Sequence, residues 1–252
     1  MQAARTLLIT GGSRGIGAAT ALLAAKAGYD VAITFASNEA AADAVVRDIE
    51  TLQRKALKIR CDTAHPDQIA GAFAAFDRHF GRLDAFFNNA GILGPAGRFV
   101  DIPVAQVTAM LAVNTAGPFF AAQEAVRRMS TRTGGQGGAI VNMSSMAAKM
   151  GGPGEATDYG FSKGGIDTLT IGLAKELATE GIRVNAVRPG LIYTDIHASS
   201  GIAGRVDKYK DLVPMKRGGT ADEVAEAVLW LLSDKASYVT GTLVDIAGGR
   251  GI

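Results

Sequence analysis

Short apolar runs alternate with amphipathic stretches from one end of the chain to the other. Thr6–Thr10 is an apolar run closed by glycine, and it leads into the alanine-rich stretch Ala18–Ala27. Val31–Phe35 comes next, then a helix-like segment over Glu39–Thr51 and a further run at Ala56–Arg60. Pro66–His79 has helical spacing and Leu83–Asn88 the look of a fourth strand. Helix-like stretches at about 104–130 and 160–180 flank a strand at Ala139–Met143. Arg183–Val187, Ala221–Leu232 and Thr242–Ile246 complete the series as strand, helix and strand. Strands that alternate with helices of this length predict an α/β fold with a doubly wound, mostly parallel seven-stranded sheet and helices on both faces. No repeat or linker interrupts the pattern. The GGQGG stretch at 134–138 is a long helix-to-strand loop, because strand signals resume directly after it. One domain over residues 1–252 is expected.

Composition narrows the choice of partners. At 252 residues, nearly half of them apolar, the chain can build one large core. The net charge is +2 and the basic residues are scattered, which argues against nucleic acid or an anionic membrane as the main partner. A lone cysteine, Cys61, excludes an intrachain disulfide framework and predicts a reducing, cytoplasmic setting. The strand pattern starts at once, leaving no room for a signal peptide, and no apolar run approaches the roughly 20 residues that span a bilayer. No metal is expected: the three histidines and one cysteine lack ligand spacing. His65 reads as a turn residue and His79 as a polar helix position, while His197 is a candidate substrate contact.

The 32 glycines are clustered, and the first cluster carries chemistry. Thr10-Gly11-Gly12-Ser13-Arg14-Gly15-Ile16-Gly17 joins the first strand to the first helix, where a doubly wound sheet binds a dinucleotide. Gly11 permits the tight turn, Gly15 lets backbone approach a pyrophosphate, and Gly17 lets helix pack on strand. Free N–H groups and the positive end of the helix would face the phosphates. The spacing is G-x-x-x-G-x-G and departs from the usual G-x-G-x-x-G. The second strand ends Thr34-Phe35-Ala36-Ser37-Asn38, with no carboxylate before Glu39 to hold an adenosine ribose. Arg14 could instead face a 2′-phosphate, aided by Ser37 and Asn38, either of which could also cap a helix. NADP(H) is favoured, with NAD(H) possible.

Further motifs follow in order: Asn88-Asn89-Ala90-Gly91 after the fourth strand, and Tyr159-x-x-x-Lys163 at a helix start. With these the chain resembles the short-chain dehydrogenase/reductase family, in its compact single-domain branch with a Rossmann-type fold, over essentially its whole length. The resemblance implies a catalytic set of Asn114, Ser145, Tyr159 and Lys163. It also implies an adenine position at Asp62 in Cys61-Asp62-Thr63, and backbone contacts to the nearer ribose at Asn89 and Ala90. The segment Arg188-Pro189-Gly190-Leu191-Ile192-Tyr193-Thr194 resembles the one flanking the nicotinamide, with Ile192 and Thr194 near its carboxamide. The C-terminal stretch from Trp230 to Gly249 is similar to glucose-dehydrogenase-like and 3-oxoacyl-carrier-protein-reductase-like bacterial members. Between the adjacent serines Ser144 and Ser145, the latter is taken to face substrate. A homotetramer is implied too, using the helices at 104–130 and 160–180 and the last strand.

The chemistry accounts for these residue types. Hydride delivery to a ketone develops charge on its oxygen, which needs a proton. A tyrosine can give it, and an ammonium one helical turn away would favour the phenolate needed for the reverse step. Ser145 would hold the substrate oxygen, and Asn114 would anchor a water linking Lys163 to solvent. Met143, Met146 and Met150 could line an apolar pocket or fill the core. The non-periodic segment 193–216, with Gly201 and Gly204 as pivots and Tyr209 and Met215 as apolar contacts, reads as a lid over a small carbonyl or alcohol substrate. Two rivals stand: a 3-oxoacyl-carrier-protein reductase, with Arg127, Arg128 and Arg132 as a basic docking patch, and a catalytically silent nicotinamide-binding sensor. In the helix at 160–180, Ile166, Leu169, Leu173 and Leu177 form an apolar stripe for the sheet, and Gly164, Gly165 and Gly172 could admit a partner helix.

Overall fold

The computed structural model describes residues 4–196 and 201–251. Seven parallel strands form one sheet in the order β3-β2-β1-β4-β5-β6-β7. They are β1 (Thr6–Ile9), β2 (Asp30–Phe35), β3 (Ala56–Arg60), β4 (Ala85–Asn88), β5 (Gly138–Met143), β6 (Ile182–Pro189) and β7 (Leu243–Ile246). Side chains alternate across the strands, so Leu7 and Ile9 pack on one face and Leu8 on the other. Helices α1 (Gly15–Lys26), α2 (Glu39–Thr51) and α9 (Ala221–Leu232) cover the first face through Ala21, Val45, Val228 and Leu231. Helices α3 (Pro66–Phe80), α5 (Gly117–Met129) and α7 (Thr157–Leu177) cover the second through Phe73, Ala125 and Leu177. The predicted architecture is the observed one.

The expected helix at 104–130 is three pieces in one helical run. Helix α4 (Val104–Leu111) passes through a π turn at Ala112–Ala116 into α5. Pro118, near the start of α5, has no N–H to offer the carbonyl of Asn114 four residues earlier, where the run departs from α geometry. The joined run, Val104–Met129, spans 26 residues with a mean hydropathy of 1.2 in its most apolar window. This corrects the expectation that no apolar stretch is long enough to cross a bilayer. Only 28% of that window is buried, so much of its apolar surface is not used by the sheet.

Two short helices escaped the pattern: α6 (Met146–Met150) and α8 (Arg205–Tyr209). Each is five residues, too short to show a helical period. In α7 the inward face is formed by Ile166, Thr170, Ala174 and Leu177, with Leu169 and Leu173 half-buried beside it. Of its glycines, Gly164 and Gly172 face open space, whereas Gly165 is already used against the Thr115 methyl.

A ladder of buried polar groups fixes the middle of the second face. Asn88 Nδ2 donates to Asn142 Oδ1 at 3.1 Å, and Asn142 Nδ2 donates to Thr170 Oγ1 at 2.9 Å. These bonds tie β4 to β5 and β5 to α7 where water is excluded, and so set how α7 lies across the strand ends.

Candidate active site

Strand β1 lies between β2 and β4, so the chain direction across the sheet reverses there and leaves a crevice at the strands' carboxyl ends. Gly11, with φ +65°, makes the turn out of β1. Its N–H donates to Thr34 Oγ1 at 3.1 Å and that of Gly12 to the Thr34 carbonyl at 2.9 Å, which anchors the turn on β2. On the other side Thr10 Oγ1 accepts from the N–H groups of Asn89 and Ala90 at 2.9 and 3.0 Å. The Asn89 side chain completes the clamp, donating to the carbonyls of Thr10 and Gly11 at 2.9 Å each. Gly17 works differently from expectation. A Cβ there would stand 2.4 Å from the Gly11 carbonyl, so Gly17 lets α1 close onto the turn itself. It is Gly12 that permits contact with a strand, through Ile33.

Helix α1 begins without a side-chain cap and without an acidic residue in its first turn. Its first N–H groups and positive end are therefore available to an anion, and Arg14 stands exposed at the cap position. These features fit a dinucleotide's phosphates. A cavity of about 680 Å³ runs from this turn across the strand ends. Every predicted cofactor-contacting residue lines it: Gly11 to Gly17 apart from Gly12, then Ser37, Asn38, Asp62, Thr63, Asn89, Ala90, Gly91, Pro189, Gly190, Ile192 and Thr194. Asn38 also caps α2, its Oδ1 accepting from Ala41 N at 3.0 Å. The first carboxylate after β2, Glu39, is engaged by Lys58 at 2.7 Å.

Ser145, Tyr159 and Lys163 line the same cavity, together with Met143, Met146 and Met150. Two serines follow strand β5, and both border the cavity, but their hydroxyls have different partners. Ser144 donates to Asp167 Oδ1 at 2.6 Å. Ser145 caps α6 by accepting from Ala147 N at 3.1 Å and hydrogen-bonds with Tyr159. Gly160 allows α6 and α7 to touch, since a Cβ there would lie 2.9 Å from the carbonyls of Ala147 and Gly151. That contact brings Ser145 and Tyr159 together.

Lys163 is 2% exposed and donates to the Met143 carbonyl at 2.8 Å. Its Nζ stands 5.7 Å from the centre of the Tyr159 ring. The sequence led us to expect the ammonium to pull the phenol down toward neutrality. In this structure desolvation pushes the Tyr159 hydroxyl up to about 12, with the Ser145 hydrogen bond opposing. Desolvation also lowers Lys163 from 10.5 to about 8, against the attraction of Asp167.

Asn114 is the one predicted catalytic residue that does not line the cavity; it is fully buried. Its Oδ1 accepts from Ile92 N at 2.8 Å, and its Nδ2 donates to the Ile92 carbonyl at 2.9 Å and to Ser162 Oγ at 3.2 Å. The side chain therefore braces the backbone after Gly91. It still adjoins Lys163, since a Cβ on Gly91 would be 3.2 Å from Asn114 Oδ1 and 3.4 Å from Lys163 Nζ.

Of the segment read as a lid, His197 lies outside the described residues. Tyr209 lines the cavity, but Met215 is 59% exposed and does not. Residues that the sequence reading passed over are Thr34, Asp167, Glu155, Arg205 and Arg250. Only Asp167 had a signal, its spacing of four from Lys163 on α7.

A half-buried phenol, a buried lysine and a serine hydrogen-bonded to the phenol, beside an uncapped helix start, define a nicotinamide-dependent oxidoreductase site. Residues 11–250 match the family model described as Enoyl-(Acyl carrier protein) reductase. The chain belongs to the short-chain dehydrogenase/reductase family. It is 51% identical over 243 residues to the oxidoreductase YgfF of Escherichia coli K12, covering 96% of this chain and 98% of that one. It is 37% identical to an L-rhamnose 1-dehydrogenase (NAD(P)(+)) of a Sphingomonas species over 97% of this chain and 95% of the other. A Burkholderia cenocepacia short-chain dehydrogenase solved with NADP is 35% identical, with a TM-score of 0.91 over 98% of each chain.

The displaced lysine makes a measurable prediction. The folded chain releases this proton near pH 8, the unfolded chain only near 10.5, so unfolding takes up a proton between the two. The stability contribution is smallest below pH 8 and grows as pH rises through that window. Urea unfolding should show wild type gaining on Lys163→Met from about pH 7.5 to about pH 9.5. A difference that stays flat with pH would contradict the burial argument.

Proposed function

We propose that this protein transfers hydride between NADP(H) and a small carbonyl or alcohol, with Tyr159 as the acid/base. The observation that carries this is the convergence of Ser145, Tyr159 and Lys163 in one cavity with an uncapped helix start. Bound nicotinamide supplies or accepts the hydride. Ser145 holds the substrate oxygen, and the Tyr159 hydroxyl gives it a proton in reduction. Lys163, beside the phenol and held by the Met143 carbonyl, is placed to stabilise the phenolate that remains. Asn114 acts as a positioning residue for this group, through Ile92 and Ser162.

The choice of NADP rests on charge at the end of β2. No free carboxylate stands there, Glu39 being engaged by Lys58, while the Arg14 guanidinium is exposed on the same cavity. A solved relative that binds NADP supports the choice. A carrier-protein substrate is disfavoured, because each arginine of the proposed docking patch has an internal partner. Arg127 pairs with Glu124, Arg128 with Asp77 and Glu124, and Arg132 with Glu180. A silent sensor would have no use for Ser145 beside Tyr159.

The long helical run bears on assembly. Phe119 and Phe120 on α5 and Phe161 and Ile171 on α7 are exposed, and Gly164 and Gly172 leave room for another backbone. We propose that a second copy of the chain covers this face, within a homotetramer.

Three outcomes are expected. Tyr159→Phe should lower turnover of NADPH with a carbonyl panel by about 100-fold or more while leaving NADPH affinity by fluorescence near wild type; full activity would remove Tyr159 from the mechanism. Arg14→Ala should erase about tenfold or more of the NADPH-over-NADH preference in dissociation constants; an unchanged ratio would overturn the cofactor assignment. Sedimentation at micromolar concentration should show an oligomer, and a monomer would remove the packing proposal.

A further inference from the structure

We propose that the substrate end of the cavity contains an anion subsite built on Arg250, and that the carbonyl or alcohol substrate carries a carboxylate. This rests on the oxidoreductase reading above and extends it to a substrate class. The walls at that end are mainly apolar, including Met146, Met150, Leu191 and Leu212. Charged side chains on the cavity away from the phosphate turn include Glu155, Asp195, Arg205 and Arg250.

Glu155 and Arg205 satisfy each other. Glu155 Oε2 pairs with Arg205 Nη2 at 2.7 Å, and Glu155 Oε1 accepts from the Tyr209 hydroxyl. Burial works to raise the Glu155 carboxyl, but Tyr209 and Arg205 outweigh it and hold the group below the usual range. It stays ionised, with both oxygens occupied.

Arg250 has no ion-pair or side-chain hydrogen-bond partner among the described residues, although it is partly buried. Desolvation, then repulsion from Arg205, push its guanidinium below its ordinary value, and the attraction of Glu155 only partly opposes them. A guanidinium does not lose its proton in the physiological range, so the protein keeps a fixed positive charge here. Glu155 is already paired with Arg205, which leaves Arg250 as a cation with no carboxylate of its own among the described residues, beside apolar walls. A planar carboxylate is the group that a guanidinium fork pairs with best.

The turn that carries the arginine is held in place. Gly248 and Gly249 have φ of +59° and +87°, and Cβ atoms on them would be 2.8 and 3.0 Å from Val213 and Pro214. Met215 N donates to the Gly248 carbonyl at 3.1 Å. On the other side of Arg250, a Cβ on Gly251 would reach 2.4 Å from Met146, the residue after Ser145. The turn is thus wedged between the segment after α8 and the serine that would hold the reacting oxygen.

The test compares short linear oxo acids, their ketone at successive positions, with the matching methyl esters, in turnover with NADPH. At least one acid should exceed its ester in kcat/KM by about tenfold or more. Arg250→Met should collapse that ratio, and Arg250→Lys should restore only part of it, since an ammonium lacks the fork. In parallel, NADPH fluorescence of the full-length protein is titrated with the acids and esters. Acids and esters equal within twofold in both turnover and binding, or a ratio unmoved in Arg250→Met, would overturn the subsite. Carboxylate binding that needs Arg250 but gives no turnover would keep the subsite and overturn the oxidoreductase reading. Turnover of neutral carbonyls with no preference for acids would do the reverse.

Discussion

Lys163 carries an ammonium into the body of the protein, and much of the site is arranged around it. A buried cation is costly unless hydrogen-bonded and matched by charge. The Met143 carbonyl at the end of β5 supplies the hydrogen bond, and Asp167, one turn further along α7, supplies the charge. Asp167 does more than balance a field. It accepts from Ser144 Oγ at 2.6 Å and from Arg188 at 2.7 and 3.0 Å. One carboxylate thereby fixes the end of β5, the end of β6 and the helix that bears Tyr159 and Lys163. With Ser144 held by this carboxylate, the next residue, Ser145, is the one whose hydroxyl meets Tyr159.

The phosphate end depends on a second clamp of the same kind. Thr10 and Asn89 lock the turn after β1 to the segment after β4, across the gap where the sheet reverses. Thr34 holds the turn from the other side. The backbone N–H groups at the start of α1 are left over by this arrangement, so the same bonds that rigidify the turn define what it can bind. Asn114 extends the clamp toward the catalytic end, because it grips Ile92 only three residues beyond Asn89.

The sheet was legible because both of its faces are buried, and buried strands between amphipathic helices leave a repeating trace in sequence. Strand β3 and helices α2 and α9 have the limits that the pattern predicted. The dinucleotide turn and the Tyr159/Lys163 pair were legible for another reason: their chemistry sits at fixed local spacings. What stayed hidden depends on contacts between distant residues. Nothing near Asn114 says that its amide will be taken by Ile92, although Pro118 four residues on does mark the break in the helix. The direction of the Tyr159 shift was missed because spacing shows that a lysine is near and not how dry the site is. Cys61 is similar: burial pushes its thiol up to about 11, which its position in the sequence does not show.

The two ends of the cavity therefore differ in how they are specified. The cofactor end is built from strand termini and the turns directly after them, so its geometry follows from the sheet. The substrate end is built from α6, α8 and the turn at 248–251, which are short and carry no period. Their arrangement comes from bonds such as Glu155 to Arg205 and Met215 to Gly248, which join segments tens of residues apart and outside the sheet. Such segments can change in sequence without disturbing the strand order or the Lys163 network. A fold organised this way fixes the surroundings of Tyr159 through the sheet and leaves those of Arg250 to the segments outside it.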